Sequence, residues 1–300
     1  MASLQQSRTR PRLACEVSVS GLIAARASDK MPRLELFTSR RLNAGTIAPG
    51  MNGPNVQDGE ALRAAIGGAL GAVSGKSRDV TVIVPDAAIR VLLLDFEALP
   101  AKSQEIEPIL RFRLKKSLPF DVEQAVVSYD IRRGNGTVHV VAAVSPQAIM
   151  EEYEAAFRDV GYAPGVILPS SLAALGLVEG QRPTLMLKVD PLNIIIAAAQ
   201  NQELRLIRTL ENPHGIQATA AELAEAVLPS IVFFEDTFAA QIEQICISGV
   251  SAIDQIGPLL HQQTGAEVRE LVPKLSSDQN LSGESIEPST MAAIAGALLG

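Results

Sequence analysis

The sequence has 300 residues, 47% of them hydrophobic, and a formal net charge of -7 at pH 7. This composition can bury a large core, in one large α/β domain or in two lobes of about 150 residues each, which excludes a globally disordered chain. An acidic chain has no general attraction for phosphate backbones, so a nucleic-acid-binding protein is not expected.

Cysteine, histidine and hydropathy patterns exclude further classes of protein. Cys15 and Cys246 lie far apart in apolar runs, the three histidines are scattered, and there is no CxxC motif. We therefore expect buried structural thiols, no metal site and no Cys–His nucleophile. Since no apolar run reaches about 18 residues, we expect no membrane-spanning helix. The cysteine usage is compatible with the cytoplasm.

The first segments are predicted to be an arm and part of a strand-rich lobe. Residues 1–12 are expected to form a flexible basic arm. Strand patterns follow at 13–27 and 33–42, and a helix is predicted from about Asp58, an acidic residue that precedes apolar positions at helical spacing. We assign residues 13–79 to the first part of a first lobe.

Four strand patterns follow between residues 80 and 144. The runs at 80–85 and 89–96 are separated by only a few residues and are predicted to pair as an antiparallel hairpin. The runs at 125–132 and 137–144 are predicted to form a second hairpin, because the Gly-Asn-Gly turn between them tolerates positive φ.

A helix with an asymmetric charge distribution is predicted at 103–117, between the two hairpins. Its acidic residues lie near its N-terminus, and its basic residues, Arg111, Arg113, Lys115 and Lys116, lie near its C-terminus. Stabilisation of the helix dipole is a sufficient explanation of this placement. A basic face that binds a partner is the alternative interpretation.

Five further segments complete the predicted organisation. They are an inserted β-rich subdomain (80–160), a return to the first lobe with a linker (161–182), a second lobe (183–275), a loop (276–288) and a closing helix (289–300). A short helix is predicted at 167–177, before the linker. Both halves alternate strands and helices, which indicates an α/β fold with mixed sheets.

The segment from Leu99-Pro100 to Tyr129-Asp130 resembles a known family. It contains an LP turn, a helix that ends in the proline-bearing run Leu118-Pro119-Phe120, and a strand that ends in the Tyr-Asp pair. In this pattern the chain resembles the PilM family of type IV pilus assembly proteins, relatives of the cell-division protein FtsA, as a divergent member. The resemblance implies an actin-like (ribonuclease H-like) α/β fold of two lobes with an inserted FtsA/PilM-type subdomain.

The resemblance also implies where a nucleotide would bind. Actin-like proteins hold phosphates on two β-hairpin loops, each usually with an Asp followed two residues later by Gly, because a backbone without Cβ lets amides approach phosphate closely. In the first loop, Glu16 replaces Asp and Ser18 replaces Gly. In the second loop, Asp190 keeps the acid, Pro191 removes an amide donor, and Leu192 adds bulk.

A third element of such sites, a glycine-rich turn over the adenosine, keeps a single glycine here. The implied nucleotide-binding residues are Glu16, Ser18, Ser20, Asp190, Asn193, Gly249 and Ser251. Because of the replaced residues, we expect an ATP site that is weakened or lost, with no catalytic residue and no metal ligand. The expected cofactor is none, or weakly bound ATP with Mg²⁺.

By the same resemblance, the protein is expected to be a cytoplasmic scaffold of a type IV pilus or related secretion platform at the inner membrane. Its partner would be the short cytoplasmic N-terminal tail of a PilN-like membrane protein, bound in a groove beside the inserted subdomain, on a strand edge or in an apolar cleft. Other platform proteins would be further partners. The protein would be peripheral to the membrane through these partners, without direct insertion.

Two alternatives remain open. An active actin-like ATPase or sugar-kinase-like enzyme would need intact phosphate loops and a catalytic acid, for which Asp190 is the best candidate. The cytoplasmic domain of a GspL-like type II secretion protein would share the actin-like plan.

Overall fold

The structure, a computed structural model, describes residues 10–134, 136–250, 253–273 and 288–300. Its strands in chain order are β1 (Leu13–Ser18), β2 (Gly21–Ala27), β3 (Leu34–Arg41), β4 (Asp79–Val84), β5 (Arg90–Phe96), β6 (Ala125–Arg133), β7 (Val138–Pro146), β8 (Ala163–Pro169), β9 (Thr184–Val189), β10 (Asn193–Gln200), β11 (Glu203–Glu211), β12 (Gln244–Ser248) and β13 (Glu267–Glu270). Its helices are α1 (Gly59–Val73), α2 (Ser103–Leu114), α3 (Gln147–Arg158), α4 (Ser170–Leu175), α5 (Ala220–Phe238), α6 (Ile253–Thr264) and α7 (Ala292–Leu299). The predicted arm (1–12) and loop (276–288) fall largely outside the described residues.

The first lobe is built on a five-stranded sheet of order β3-β2-β1-β4-β8. β1 is antiparallel to β2 and parallel to β4, and β8 continues the parallel part. α1 and α3 cover this sheet, because their apolar side chains, among them Leu62, Ile66 and Phe157, pack into one buried cluster with the strands. α1 begins where the sequence predicts, since the Asp58 side chain accepts a hydrogen bond from the N–H of Ala61.

The inserted subdomain is an antiparallel sheet of order β5-β7-β6 with α2 on one face. Leu110 and Leu114 of α2 are buried in the cluster formed with that face. The chain enters the subdomain after β4 and leaves it before α3, and at its base the hydroxyl of Ser145 donates to the carbonyl of Ala88, 2.7 Å away. The inserted subdomain is shorter than the predicted range of 80–160, because β4 and α3, which lie at the two ends of that range, belong to the first lobe.

One of the two predicted hairpins is wrong and the other is confirmed. The runs at 80–85 and 89–96 do not pair: β4 lies between β1 and β8, whereas β5 pairs with β7. A 3-10 turn at Asp86–Ala88 separates the two strands and marks the point where the chain leaves the first lobe. The runs at 125–132 and 137–144 pair as predicted, as β6 and β7.

The second lobe contains a five-stranded sheet of order β11-β10-β9-β12-β13. α5 and α6 pack on it through a separate buried cluster. α5 starts with a capping box, in which the Thr219 hydroxyl accepts from the N–H of Glu222 and the Glu222 carboxylate accepts from the N–H of Thr219. No helix within the described ranges combines the length and apolar character needed to cross a bilayer.

α4 and α7 fill the space between the two large sheets, in a buried cluster that we call the interlobe core. Their alanines pack against residues of the first sheet, such as Ile83, and of the second sheet, such as Met186 and Cys246. The two helices approach closely at Gly296, where an added Cβ would lie 2.0 Å from the carbonyl oxygen of Ala173. The interlobe core therefore depends on small residues along both helices.

Two predicted helices differ in extent from the observed ones. The predicted helix at 167–177 is divided between the end of β8 and α4. The closing helix predicted at 289–300 begins with a 3-10 turn, Pro288–Met291, and continues as α7. The prediction of buried, unpaired thiols is confirmed for Cys15 and Cys246.

Candidate functional site

A cavity of about 310 Å³ lies between the lobes, where β1 and β9 end. Of the residues implied by sequence, those that line it are Glu16, Ser18, Ser20, Asp190 and Gly249. Asn193 does not line it, but its backbone N–H donates to Oδ1 of Asp190 at 2.7 Å. Ser251 is outside the described residues.

The register of the two hairpins changes one predicted assignment. In the first hairpin, Ser18 closes the turn between β1 and β2, and Glu16 lies two residues before it. In the second hairpin, Asp190 closes the turn by bonding to Asn193, so the residue equivalent to Glu16 is Lys188. A lysine therefore stands at the acidic position of the second loop, and Asp190 stands where glycine is expected.

Lys188 joins carboxylates from both lobes. Its Nζ lies 3.3 Å from Oδ2 of Asp86 and 3.5 Å from Oδ2 of Asp190. Asp86 belongs to the turn after β4 and is fixed there, because its Oδ1 accepts from the N–H of Ser171 at 2.9 Å. Burial would lower the pKa of Lys188, but Asp86, Asp190 and Glu16 outweigh that effect, so its pKa is raised and the ammonium stays charged.

Sequence reasoning missed Lys188 and Asp86. The signal for Lys188 was a single charged residue inside the otherwise apolar strand β9, since a buried lysine requires a nearby partner. Asp86 carried no comparable signal, because an Asp after a proline is ordinary in a turn.

Glu16 is the least satisfied charged group of the cavity. Its Oε1 accepts from the hydroxyl of Ser170 at 2.5 Å, whereas its Oε2 is buried without a hydrogen-bond partner among the described residues. Burial raises the pKa of Glu16, the charge of Lys188 and the bond from Ser170 oppose this, and Asp86 adds to the rise. The net direction is upward, so the neutral acid is favoured more than in an exposed glutamate.

Three features of this cavity bear on the expectation of a weakened nucleotide site. The backbone amides of Leu192 and Asn193 already donate to Oδ1 of Asp190, at 2.8 and 2.7 Å, and Pro191 has no N–H. Lys188 supplies the positive charge that a cation would otherwise bring to these carboxylates. Within the described ranges, no three His, Cys, Asp or Glu side chains are placed to hold a metal ion.

The glycine retained in the third element has a packing role. Gly249 has a φ of +77°, and an added Cβ would lie 1.9 Å from the carbonyl oxygen of Val189. Glycine is therefore required here by the contact between the turn after β12 and the end of β9. Its presence is not by itself evidence of a nucleotide.

A second concave site, which we call the β8 groove, lies between the inserted subdomain and the first lobe. Its floor is the face of the β6–β7 sheet opposite α2, its volume is about 200 Å³, and its walls are α3 and β8. The residues lining it include Ile89, Val126, Ala143, Met150, Val166 and Ile167. Within the described residues, β8 pairs only with β4, which leaves the other edge of this strand unpaired. Val126 and Val166, on the two sides of the groove, are 42% and 39% exposed.

Solved structures identify the architecture. A PilM–PilN type IV pilus biogenesis complex matches with a TM-score of 0.75 at 20% identity, covering 96% of this chain and 98% of the matched chain. A Bacteroides thetaiotaomicron protein described as having an actin-like ATPase fold and unknown function matches with a TM-score of 0.50 at 12% identity, covering 99% and 98%. The chain has an actin-like fold.

The actin-like fold predicted from the PilM resemblance is thereby confirmed. The cytoplasmic domain of EpsL, an inner-membrane component of the type II secretion system of Vibrio cholerae, also matches, with a TM-score of 0.54 at 13% identity and coverage of 96% and 94%. No family model and no curated protein sequence matches the chain. The comparison therefore rests on three-dimensional structure.

Proposed function

We propose that this actin-like protein is a scaffold of a type IV pilus assembly platform, on the cytoplasmic side of the inner membrane. In this proposal the β8 groove binds the short N-terminal tail of a PilN-like membrane protein. The observation that carries the proposal is the unpaired edge of β8 beside a groove lined mostly by apolar residues. The match to a solved PilM–PilN complex supports the identity of the partner.

The tail would bind by strand addition. Main-chain groups of an extended peptide would pair with the free edge of β8 and supply affinity for any sequence. Because side chains alternate along a strand, every second residue of the tail would point into the groove between Val126 and Val166. Apolar residues at alternate positions of the tail are therefore expected to determine specificity.

We also propose that the cavity between the lobes no longer binds ATP well. Lys188 compensates the charges of Asp86 and Asp190, so these carboxylates need no metal ion for that purpose. The backbone N–H of Leu192 in the second hairpin already donates to Asp190. Other platform proteins would then assemble on a scaffold that does not depend on nucleotide turnover.

The tail-binding proposal is tested by fluorescence anisotropy with a labelled peptide of about 15 residues from the N-terminus of the candidate partner. We expect binding at tens of micromolar or tighter. Val166→Asp should weaken it at least about tenfold, because a charge would be placed in an apolar contact. Val232→Asp on α5 is the matched control, since Val232 is 55% exposed and does not line the groove.

No binding at tens of micromolar, or equal losses in both variants, would contradict a tail site in the β8 groove. Thermal unfolding of both variants should confirm that each remains folded.

The nucleotide proposal is tested separately by titration calorimetry with ATP and Mg²⁺. We expect no heat of binding at micromolar protein and nucleotide concentrations. A micromolar dissociation constant would overturn this part of the proposal and would revive the alternative of an active ATPase.

A type II secretion platform is the second candidate, favoured by the match to the EpsL cytoplasmic domain. Deleting the gene distinguishes the two candidates. Loss of surface pili with normal secretion supports the pilus platform, and the reverse result supports the secretion platform.

A further inference from the structure

Helix α2 of the inserted subdomain is apolar on two sides. Its inner side contributes Ile106, Leu110 and Leu114 to the buried cluster of the subdomain. On its outer side, Ile109 is 37% exposed, and Phe112 is 76% exposed, the highest value among the large hydrophobic side chains described. Ile109 and Phe112 together form a small exposed apolar patch, which is a candidate contact surface when charged residues surround it.

Uncompensated positive charge follows directly after Phe112. The two glutamates of α2 are already paired, Glu105 with Lys102 at 3.7 Å and Glu107 with Arg111 at 2.9 Å. Arg113, Lys115 and Lys116 are exposed, and no salt bridge within the described part of the chain involves them. We call Ile109, Phe112, Arg113, Lys115 and Lys116 the α2 outer face.

The C-terminal end of α2 brings this charge close to the apolar residues. Ile109 and Phe112 lie three positions apart and so share one side of α2, and Arg113 follows Phe112 directly. Lys115 caps the C-terminus of α2, and Lys116 lies in the turn that follows it. This local excess of positive charge is unusual in a chain whose formal net charge is -7. A surface that binds here would be anionic and would accept an aromatic side chain.

We propose that the α2 outer face contacts the surface of a bilayer that contains anionic phospholipid. Phe112 would enter the region between headgroups and acyl chains, while the three cations would bind lipid phosphates. The apolar strip is followed by three cations, a combination that fits an interface of anionic lipid. The proposal builds on the proposed function in one respect, since a short partner tail would keep the subdomain near the membrane.

The direct test is co-sedimentation of the full chain, without any partner, with vesicles of phosphatidylglycerol and phosphatidylcholine. We expect binding to vesicles at about a 1:2 ratio of these lipids, little binding to phosphatidylcholine alone, and loss of binding at about 0.5 M NaCl.

Two variants locate the contact. Lys115→Gln with Lys116→Gln should lower the partition coefficient about 30-fold, because each cation near the surface contributes separately. Phe112→Ser should lower it about tenfold while leaving the charge unchanged. The control is Lys30→Gln with Lys76→Gln, which removes the same charge from exposed positions elsewhere and should have little effect.

No binding to either vesicle type would overturn the proposal, as would equal losses in the α2 and control variants. Selective loss in the α2 variants supports it. Vesicle co-sedimentation and the peptide assay with Val166→Asp test different surfaces. The failure of either proposal can therefore be distinguished from the failure of the other. Binding of an acidic partner protein through Phe112, with no vesicle binding, would assign this face to a protein contact instead.

Discussion

The ammonium group of Lys188 is the central charge of the cleft. It compensates the charges of Asp86 from the first lobe and Asp190 from its own lobe. The ion pair with Asp86 connects the two lobes and is buried, since the side chain of Lys188 is 10% exposed and that of Asp86 is 4% exposed. Breaking such a pair leaves a buried charge without a partner, which costs more than the pair itself contributes. This cost favours retention of both residues in a chain that keeps its two lobes together.

Glu16 provides a prediction about pH. Because its pKa is raised, the folded chain binds this proton more tightly than the unfolded chain does. The resulting stabilisation is fully present below the ordinary glutamate pKa of 4.5 and is lost as the pH rises through the raised value. Glu16→Gln, which stays neutral and can still accept from Ser170, should therefore gain stability relative to the wild type as the pH rises.

We expect the melting temperature of Glu16→Gln to exceed that of the wild type by about 2 °C or more near pH 8, with a smaller difference near pH 5. Glu222→Gln is the control of opposite sign, because hydrogen bonds from the backbone and hydroxyl of Thr219 lower the pKa of Glu222. Its loss of stability should be larger near pH 8 than near pH 4. If the effect of Glu16→Gln on the melting temperature did not change with pH, the pKa of Glu16 would not be raised in the folded chain.

At the level of single residues, the sequence predicted much of the cleft but not its chemistry. Glu16, Ser18 and Asp190 were implied by the resemblance to actin-like proteins, and all three line the cavity. Lys188 was missed because the acidic position of the second loop was assigned to Asp190, which is an acid but lies two residues after the position equivalent to Glu16. Only the pairing of the strands revealed which position of the second hairpin corresponds to Glu16.

Among the elements, the contact of α4 with α7 is the most sensitive to side-chain volume. Gly296→Ala would place a methyl group 2.0 Å from the carbonyl oxygen of Ala173, so the helices must separate. We expect a loss of about 3 kcal/mol in the free energy of unfolding, measured by urea denaturation. The interlobe core would then lose its close packing where α4 and α7 contact each other.

Gly71→Ala is the matched control for this substitution. Gly71 lies within α1, and no atom lies within 4 Å of its added Cβ, so alanine should stabilise the helix by about 0.5 to 1 kcal/mol. Opposite signs for the two substitutions are expected. A stabilising Gly296→Ala would mean that α7 does not pack against α4 as described.

The errors among predicted elements have identifiable physical causes. A short connection between strands predicts a hairpin only when both strands stay in one sheet, and the turn at Asp86–Ala88 instead leads into the inserted subdomain. β8 was missed because Pro164 and Gly165 interrupt its pattern, although an edge strand tolerates both. The hairpin of β6 and β7 was predicted correctly because its turn sequence fixes the pairing.

On the scale of the whole molecule, the inserted subdomain is joined to the first lobe by two neighbouring stretches of chain. Its entry and exit lie close together, since the Ser145 hydroxyl bonds to the carbonyl of Ala88 at 2.7 Å. Replacing residues 90–144 by a short Gly-Ser linker removes β5 to β7 and α2 but keeps Asp86 for Lys188. We expect this variant to unfold cooperatively, because the interlobe core is intact, and to bind no partner tail, because the floor of the β8 groove is gone.

Calorimetric unfolding and the peptide anisotropy assay measure these two properties independently. Retained peptide binding would place the tail elsewhere than in the β8 groove. Aggregation without a cooperative transition would show that the lobes need the subdomain for stability.

The equivalence of Glu16 and Lys188 also bears on how the two halves of the molecule recognise each other. If two copies of the first half met across this cleft, Asp86 would lose Lys188 as its partner, and if two copies of the second half met, Lys188 would lose Asp86. Unlike halves instead bring opposite charges together at the same place. The cleft therefore disfavours self-association of either half and selects the pairing of one half with the other, as an asymmetric rather than a twofold interface.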